Sequence, residues 1–430
     1  MITRKVRLPE KIRYTSLFIA TPTRPLKLPA RFNAFGSGNR YKQAITYTGA
    51  DKSSAAYTGV FNLRPSKEAW RFWKNVRPKS LRPYNAADSG TVVMPEAVYL
   101  KKYGEIPGEY SYNMPYWRVV DAKGKQVLER QPSISFCNKT FISDYLMWNN
   151  KILLDSEYGN RVGQLSYDLA QNTLCANPFH GCFFKDRFGR DIKTFVIMSK
   201  RKFFERTLRL AHSRGVSFAL HAQDRFCPML HGFGDIWLPG EQHCATYKTN
   251  PFALIDGSID ERLFRSEYNR DVIGTGVTMS CALAQLNRKN YDIPEATIAA
   301  MTMMLLYDID FSRGWMAYKE VFKLFDIFKK YDFNSFDVKA HKFYRQKEIT
   351  SNNSNVLVTW YECPEGEKLI VLGNRTRQPQ NAVVDLGKVT GNTGKLREEF
   401  YKKDIAVSNG KVSVTVPAQA FLLLGTKKSR

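Results

Sequence analysis

Residues 199–221 read SKRKFFERTLRLAHSRGVSFALH, and this stretch decides the fold. Ser199 is suited to cap a helix, and Phe203, Phe204, Thr207, Leu208 and Ala211 recur at the spacing of one helical stripe, which predicts a helix to about Ser213. Gly215 can stop it. Val216–His221 then reads as a short buried strand. A buried strand reached through a helix implies parallel pairing, because a parallel neighbour needs a long crossover.

The same alternation extends outward. Tyr14–Ala20, Gln43–Thr48 and Thr91–Pro95 are the first three expected strands, with a short helix over Ser66–Val76. Gln164–Asp168 is the fourth, Val216–His221 the fifth, Asp235–Leu238 the sixth, Val277–Leu283 the seventh and Thr302–Tyr307 the eighth. Eight such strands over residues 1–335 predict an α/β fold, a (β/α)₈ TIM-type barrel. After a helix at about Trp315–Lys330 the pattern changes. Val356–Tyr361, Lys368–Leu372, Ala382–Leu386, Lys411–Val416 and Phe421–Leu424 are short strands with turns such as Asn409-Gly410 between them. Residues 336–430 are therefore expected to form a C-terminal antiparallel β-sandwich domain.

The chain has 430 residues, 65 Lys and Arg against 40 Asp and Glu, and a formal charge of +25. The excess is uneven: residues 1–130 carry +15, residues 131–335 only +3 and residues 336–430 +7. The basic clusters are short, such as Arg4-Lys5-Val6-Arg7 and Lys200-Arg201-Lys202, which argues against a nucleic-acid tail. No run of about 18 apolar residues is present, so no membrane span is expected. Pro9, Glu10, Lys11 and Arg13 interrupt the N-terminus, so no signal peptide is expected. Seven cysteines in a chain this long do not make a disulfide scaffold.

No cofactor is expected. Gly36-Ser37-Gly38 lacks the third glycine of a dinucleotide motif, and Gly391–Lys395 lacks the spacing of a phosphate loop. His180, His212, His221, His231 and His243 cluster with Cys175, Cys182, Cys227 and Cys244, but no C-x-x-C occurs, which disfavours zinc. Carboxylates at strand ends carry the stronger signal. Catalytic groups of a barrel sit at the C-terminal ends of its strands. Glu96 ends the third strand, Asp168 the fourth, Glu241 follows the sixth, and Asp308 and Asp310 end the eighth. Glycoside hydrolysis needs two such carboxyl groups, one protonated and one ionised.

Tyr167-Asp168, Cys175-Ala176-Asn177-Pro178, His180-Gly181-Cys182, Asp186–Arg190, Arg201, His221, Asp235 and Gly240-Glu241 resemble the glycoside hydrolase family 123-like proteins. Ala20–Leu26 resembles their barrel entry, and Gly373-Asn374 lies in strands that resemble their C-terminal sandwich. The resemblance implies a barrel glycosidase acting on a polysaccharide or glycan. Characterised members are β-N-acetylgalactosaminidases with an adjacent Asp-Glu pair; here Leu169 follows Asp168, and Asp260-Glu261 falls in a helix-side segment. Relatives usually carry an N-terminal β-sandwich and an export signal, whereas this chain begins at about the first barrel strand, as a truncated or divergent form would. A nucleophile on the fourth strand facing an acid on the sixth also resembles retaining α-galactosidase-like barrels.

The expectation is a glycoside hydrolase with Asp168 as nucleophile or base and Glu241 as general acid. His180, Asp186, Arg201, His221, Tyr167 and Asp308 are the expected substrate-binding or orienting residues. The partner is a carbohydrate, anionic if the basic loops of residues 1–130 line the barrel mouth, with no nucleic acid, membrane or metal. A non-catalytic glycan-binding protein on a decayed barrel is the alternative. The oligomeric state has no signature in the sequence.

Overall fold

The computed structural model of the protein describes residues 128–129, 131–132, 164–167, 170, 174–175, 183–195, 197–214, 217–222, 225–312, 314–333, 338–387, 389–391 and 393–426. The first three expected strands, the expected helix at 66–76 and Glu96 lie outside them.

A short antiparallel pair, β1 (Leu128–Glu129) and β2 (Gln131–Pro132), comes first. β3 (Gln164–Tyr167) is followed by three small strands, β4 (Leu174–Cys175), β5 (Phe183–Lys185) and β6 (Asp191–Phe195), which pair antiparallel in the order β4-β6-β5. Helix α1 (Ile197–His212) leads into β7 (Ser217–His221), and α2 (Pro228–His231) precedes β8 (Ile236–Leu238). Three short helices, α3 (Cys244–Thr249), α4 (Arg262–Arg265) and α5 (Arg270–Ile273), separate β8 from β9 (Gly276–Met279). Helix α6 (Pro294–Tyr307), β10 (Asp310–Phe311) and α7 (Tyr318–Lys330) complete this part.

β3, β7, β8, β9 and β10 form one five-stranded sheet in that spatial order, every neighbouring pair parallel. Spatial order equals chain order. A doubly wound sheet would reverse direction at a switch point, and no reversal occurs among the described strands. Phe203, Phe204 and Ala211 of α1 are fully buried, and Phe204 meets Phe218 of β7 edge to face, so the stripe read from the sequence is the surface that packs on the sheet. The helix begins two residues before Ser199.

The expected eighth strand is corrected. Thr302–Tyr307 is the last part of α6, and the strand is Asp310–Phe311. Almost every residue of α6 is buried, so its sequence is apolar all round and shows no face; such a run does not distinguish a buried helix from a buried strand. Pro294 at its first turn is the start signal.

The C-terminal region holds β11 (Lys339–His341), β12 (Thr350–Ser351), β13 (Val356–Glu362), β14 (Lys368–Asn374), β15 (Gln380–Asp385), β16 (Lys395–Glu398), β17 (Lys403–Ala406), β18 (Lys411–Val416) and β19 (Ala420–Gly425). They form a six-stranded sheet, β11-β13-β14-β19-β16-β17, and a three-stranded one, β12-β15-β18, all paired antiparallel. β18 alternates exposed and buried residues, as a strand with one wet face must. β14 and β19 are buried on both faces. Ile370, Leu372, Leu422 and Leu424 face the three-stranded sheet, while Leu369, Val371, Phe421 and Leu423 join the core built around α6. The result is helix on sheet on sheet. No helix among the described residues is long and apolar enough to cross a membrane.

Candidate functional site

Backbone hydrogen bonds tie the C-terminal ends of the parallel strands into one rim. Ala170 N, just past β3, donates to His221 O at 2.7 Å; Ala222 N donates to Leu238 O at 3.4 Å; Ser280 N donates to Pro239 O at 2.7 Å; Ser312 N donates to Met279 O at 3.0 Å. His221 is the last residue of β7, and Glu241 follows β8 by three residues. His221 Nε2 lies 3.8 Å from Glu241 Oε2, with the histidine side chain 7% and the glutamate side chain 18% exposed. The rim thus holds a carboxyl group that solvent reaches and that shares its surroundings with an imidazole.

The residue before Glu241 makes this placement possible. Gly240 has φ 123°, and a Cβ there would stand 2.1 Å from Ser280 O, so only glycine lets the chain leave β8 against the end of β9. Gly240 N donates to Gln242 Oε1 at 2.6 Å, and Gln242 Nε2 donates to the Tyr268 hydroxyl at 3.0 Å. His243 Nε2 shares a 2.8 Å hydrogen bond with the same hydroxyl. Tyr268 is buried beside Trp237 of β8. Burial, with the nearby charge of Arg225, pushes the His243 imidazole down to about 4, so it is neutral at pH 7. Gln242, His243 and Tyr268 therefore form a bracket behind Glu241. Residues 267–269 (Glu-Tyr-Asn) carry no motif by which Tyr268 could be picked out of the sequence.

The other histidines act elsewhere. His231 is fully buried and stacks on Trp237 at 5.8 Å. Its Nδ1 accepts from Cys227 N at 2.9 Å, which puts the ring proton on Nε2, 3.3 Å from Ala170 O. Burial pushes this imidazole down to about 3. It links α2 to the segment after β3 as a neutral donor. His212 contacts both oxygens of Asp235, and Asp235 Oδ2 also accepts from Phe218 N at 2.7 Å, at the end of the sheet where β7 and β8 begin.

Several expected site residues are placed away from the rim. Asp308 is corrected: it ends α6, not a strand, in a left-handed conformation with φ 59°. Its carboxylate is buried and pairs with Arg270 at 2.6 Å and Lys342 at 4.0 Å, at the end of the sheet where β10 begins. Asp310 is the first residue of β10, likewise at its entry end. Asp186 forms the tight turn between β5 and β6: Oδ1 accepts from Phe188 N and Arg190 N, and Oδ2 accepts from Arg190 Nε at 2.7 Å. Those bonds hold its carboxyl below the usual range, against the opposing effect of burial. The Arg201 guanidinium lies 4.6 Å from the Phe233 ring, on the side where the chain enters β8. Tyr167 is the last residue of β3, in register with Leu220, one position before His221. Asp168 and His180 lie outside the described residues.

The cysteines near the rim are thiols. Burial, with the charge of Glu241, pushes Cys244 up to about 12, and burial alone pushes Cys281 up to about 12. Neither supplies a thiolate at neutral pH. Among the described residues no group of three or more His, Cys, Asp or Glu side chains gathers as metal ligands do.

No family model matches the chain, and no curated protein matches it. Among solved structures, an Anoxybacillus alpha-amylase superposes with a TM-score of 0.45 at 11% identity, over 76% of this chain and 74% of that one. The alpha-amylase of Geobacillus thermoleovorans complexed with acarbose gives 0.46 at 9% identity, over 74% and 73%. A GH27 β-L-arabinopyranosidase of Geobacillus stearothermophilus gives 0.40 at 11% identity, over 72% and 66%. All three are glycoside hydrolases. Scores this low assign this chain neither a family nor an activity, family 123 included.

Proposed function

We propose that the protein is a glycoside hydrolase working with two carboxyl groups, Glu241 as general acid and Asp168 as nucleophile or base. One observation carries this: Glu241 stands partly exposed beside His221, where two adjacent parallel strands end, on a glycine that no other residue can replace. Parallel strands laid side by side in chain order fit an arc of a (β/α)₈ barrel, and in such barrels the C-terminal strand ends form the active site. The family 123 resemblance of residues 164–285 supports glycoside hydrolysis, though not by that family's adjacent Asp-Glu pair, since Leu169 follows Asp168.

In this mechanism the Glu241 carboxyl protonates the departing glycosidic oxygen as the bond to the anomeric carbon breaks. The Asp168 carboxylate either attacks that carbon or deprotonates the water that does. His221 orients Glu241 or receives a sugar hydroxyl, and His180 and Tyr167 remain proposed substrate contacts. Asp186, Arg201 and Asp308 drop out, since their partners hold them in a turn, on the Phe233 ring and in a buried ion pair.

The test is a screen of neutral, N-acetylated, uronic and sulfated glycans, followed by Glu241→Gln and Asp168→Asn on whichever is cleaved. Each variant should lose at least about 100-fold in kcat. For Glu241→Gln, much of the loss should return with a substrate whose leaving group needs no proton. Unchanged turnover in Asp168→Asn would remove Asp168 from the mechanism. Saccharide binding with no hydrolysis over long incubation would replace the enzyme with a glycan-binding protein.

A further inference from the structure

A cavity of about 450 Å³ lies between the loop after α3 and the loops of the C-terminal sandwich, and shares no lining residue with the strand-end rim. Ile255 and Leu357 are its apolar lining; Arg375, Arg377, Asn355, Gln419, Ser354 and Thr376 are polar, and Asp256 is its one carboxylate. This size accommodates one or two sugar units. The lining includes no aromatic ring, so the stacking platform that a neutral sugar face would use is missing.

The cationic side of the cavity is built in advance. Asn374, fully buried, donates from Nδ2 to Gln378 O at 2.8 Å and to Pro417 O at 2.9 Å, and its Oδ1 accepts from Thr376 N at 2.8 Å. This knits the loop bearing Arg375 and Arg377 to the loop bearing Gln419. Gln419 N donates to Thr376 O at 2.9 Å, and Gln419 holds φ 47°, a left-handed conformation that a side chain other than glycine adopts at a cost. Arg375 Nη1 donates to Glu261 Oε2 at 2.8 Å, which pins the guanidinium in place.

The acidic neighbours are already engaged. Glu261 also accepts from Tyr307 and from Arg265. Asp256 accepts from Asn250 Nδ2 at 2.7 Å and from Ser258 N at 3.0 Å. Arg377 makes no hydrogen bond or close ion pair among the described residues. Against the opposing effect of burial, the bonds from Asn250 and Ser258 and then the charge of Arg377 hold the Asp256 carboxyl below the usual range. The cavity lining thus carries one exposed guanidinium and a second, anchored one, with two side-chain amides and a carboxylate, Asp256, that already has its own donors.

We infer that this cavity is a second, non-catalytic binding site for an acidic saccharide, its carboxylate or sulfate received by Arg377 and Arg375 and its hydroxyls by Asn355 and Gln419. Guanidinium groups suit carboxylate and sulfate oxygens, and a preformed loop lowers the ordering cost of binding. That the anion is carried on a sugar rests on the proposed glycosidase function; that the cavity takes an anion does not.

The experiment titrates the full chain by calorimetry with trigalacturonate, a sulfated galactan tetrasaccharide and neutral galactotriose. At least one acidic probe should bind about tenfold or more tighter than the neutral one. Arg377→Gln, at an exposed position, should weaken that probe about tenfold. Gln419→Gly, which suits the backbone conformation and removes the side chain with its amide, should weaken it as well. Glu241→Gln should bind it as the unaltered chain does. Absence of binding by both acidic probes overturns the inference. So does equal binding of the neutral sugar, or full binding by Arg377→Gln and Gln419→Gly together. Binding lost in Glu241→Gln and kept in Arg377→Gln would assign the probe to the strand-end rim and overturn it too. A chain that binds through Arg377 yet hydrolyses nothing in the glycan screen would sink the glycosidase alone.

Discussion

Glu241 owes its position to Gly240, and this is where a single atom matters most. An added methyl at Gly240 meets the backbone of Ser280, which no side-chain rotation relieves, and its φ of 123° is unfavourable for any L residue. Gly240→Ala should cost about 2–3 kcal/mol in urea unfolding and, on the proposed function, remove glycan turnover together with it. His231 and His243 make a second prediction. His231 falls from its ordinary 6.5 to about 3, and His243 to about 4. Both are depressed in the folded state, so between those values and 6.5 the unfolded chain binds more protons. Stability should be full above about pH 6.5 and decline as pH falls toward 4 and then 3. His231→Gln, which keeps a donor and does not titrate, should flatten the lower part of that decline; an unchanged slope would mean the imidazole is not buried neutral. The strand-end positions of His221 and Glu241 were legible because His221 closes one apolar run and Glu241 follows another. Tyr268 was not, since its role comes from a turn that brings residues 240–243 against it.

Elements were legible where their two faces differ. α1 has one apolar stripe and α7 ends at Lys330 as its pattern indicated; β18 was bounded to the residue. α6 misled because helix and strand become indistinguishable once every side is buried, and reading it as a strand put Asp308 on the strand-end rim when it lies at the opposite end of the sheet. Its true setting gives a strong expectation. A carboxylate at a helix C-terminus is unfavourably placed against the helix dipole, and this one is 1% exposed. Arg270, itself only 8% exposed, pairs with it at 2.6 Å. Arg270→Met would take from the buried Asp308 charge its 2.6 Å partner, with Lys342 standing farther off at 4.0 Å. Loss of about 3–5 kcal/mol is expected by chemical denaturation. Pairing Arg270→Met with Asp308→Leu should recover much of it, because replacing both charges removes the unpaired one. If the double variant is as unstable as the single, the arginine matters for packing and not for the ion pair.

At the scale of the molecule, a boundary at 335/336 divides the sequence by pattern, yet one core crosses it. Leu369, Val371, Phe421 and Leu423 of the six-stranded sheet pack in the same cluster as Leu305, Leu306, Phe325 and Tyr331 of the helices. The sandwich also completes α6. The last carbonyls of a helix lack partners within it, and here Leu305 O accepts from the Tyr361 hydroxyl at 2.5 Å and Leu306 O from Thr359 Oγ1 at 2.8 Å. α6 in turn is the crossover between β9 and β10, so the sheet that carries Glu241 depends on side chains from the sandwich. The alternation in β14 and β19 that divides residues between two cores is invisible as amphipathicity, because both faces are apolar; only the three-layer arrangement explains it. The two parts should therefore unfold as one unit. Native-state hydrogen exchange of Trp237 in β8 and Val371 in β14 should converge on a single opening free energy as urea rises. Tyr361→Phe, which leaves a buried carbonyl without its donor, should lower both by the same amount, about 1–2 kcal/mol. Exchange that falls in the sandwich alone, with Trp237 unmoved, would show that the helices keep the parallel sheet folded without it.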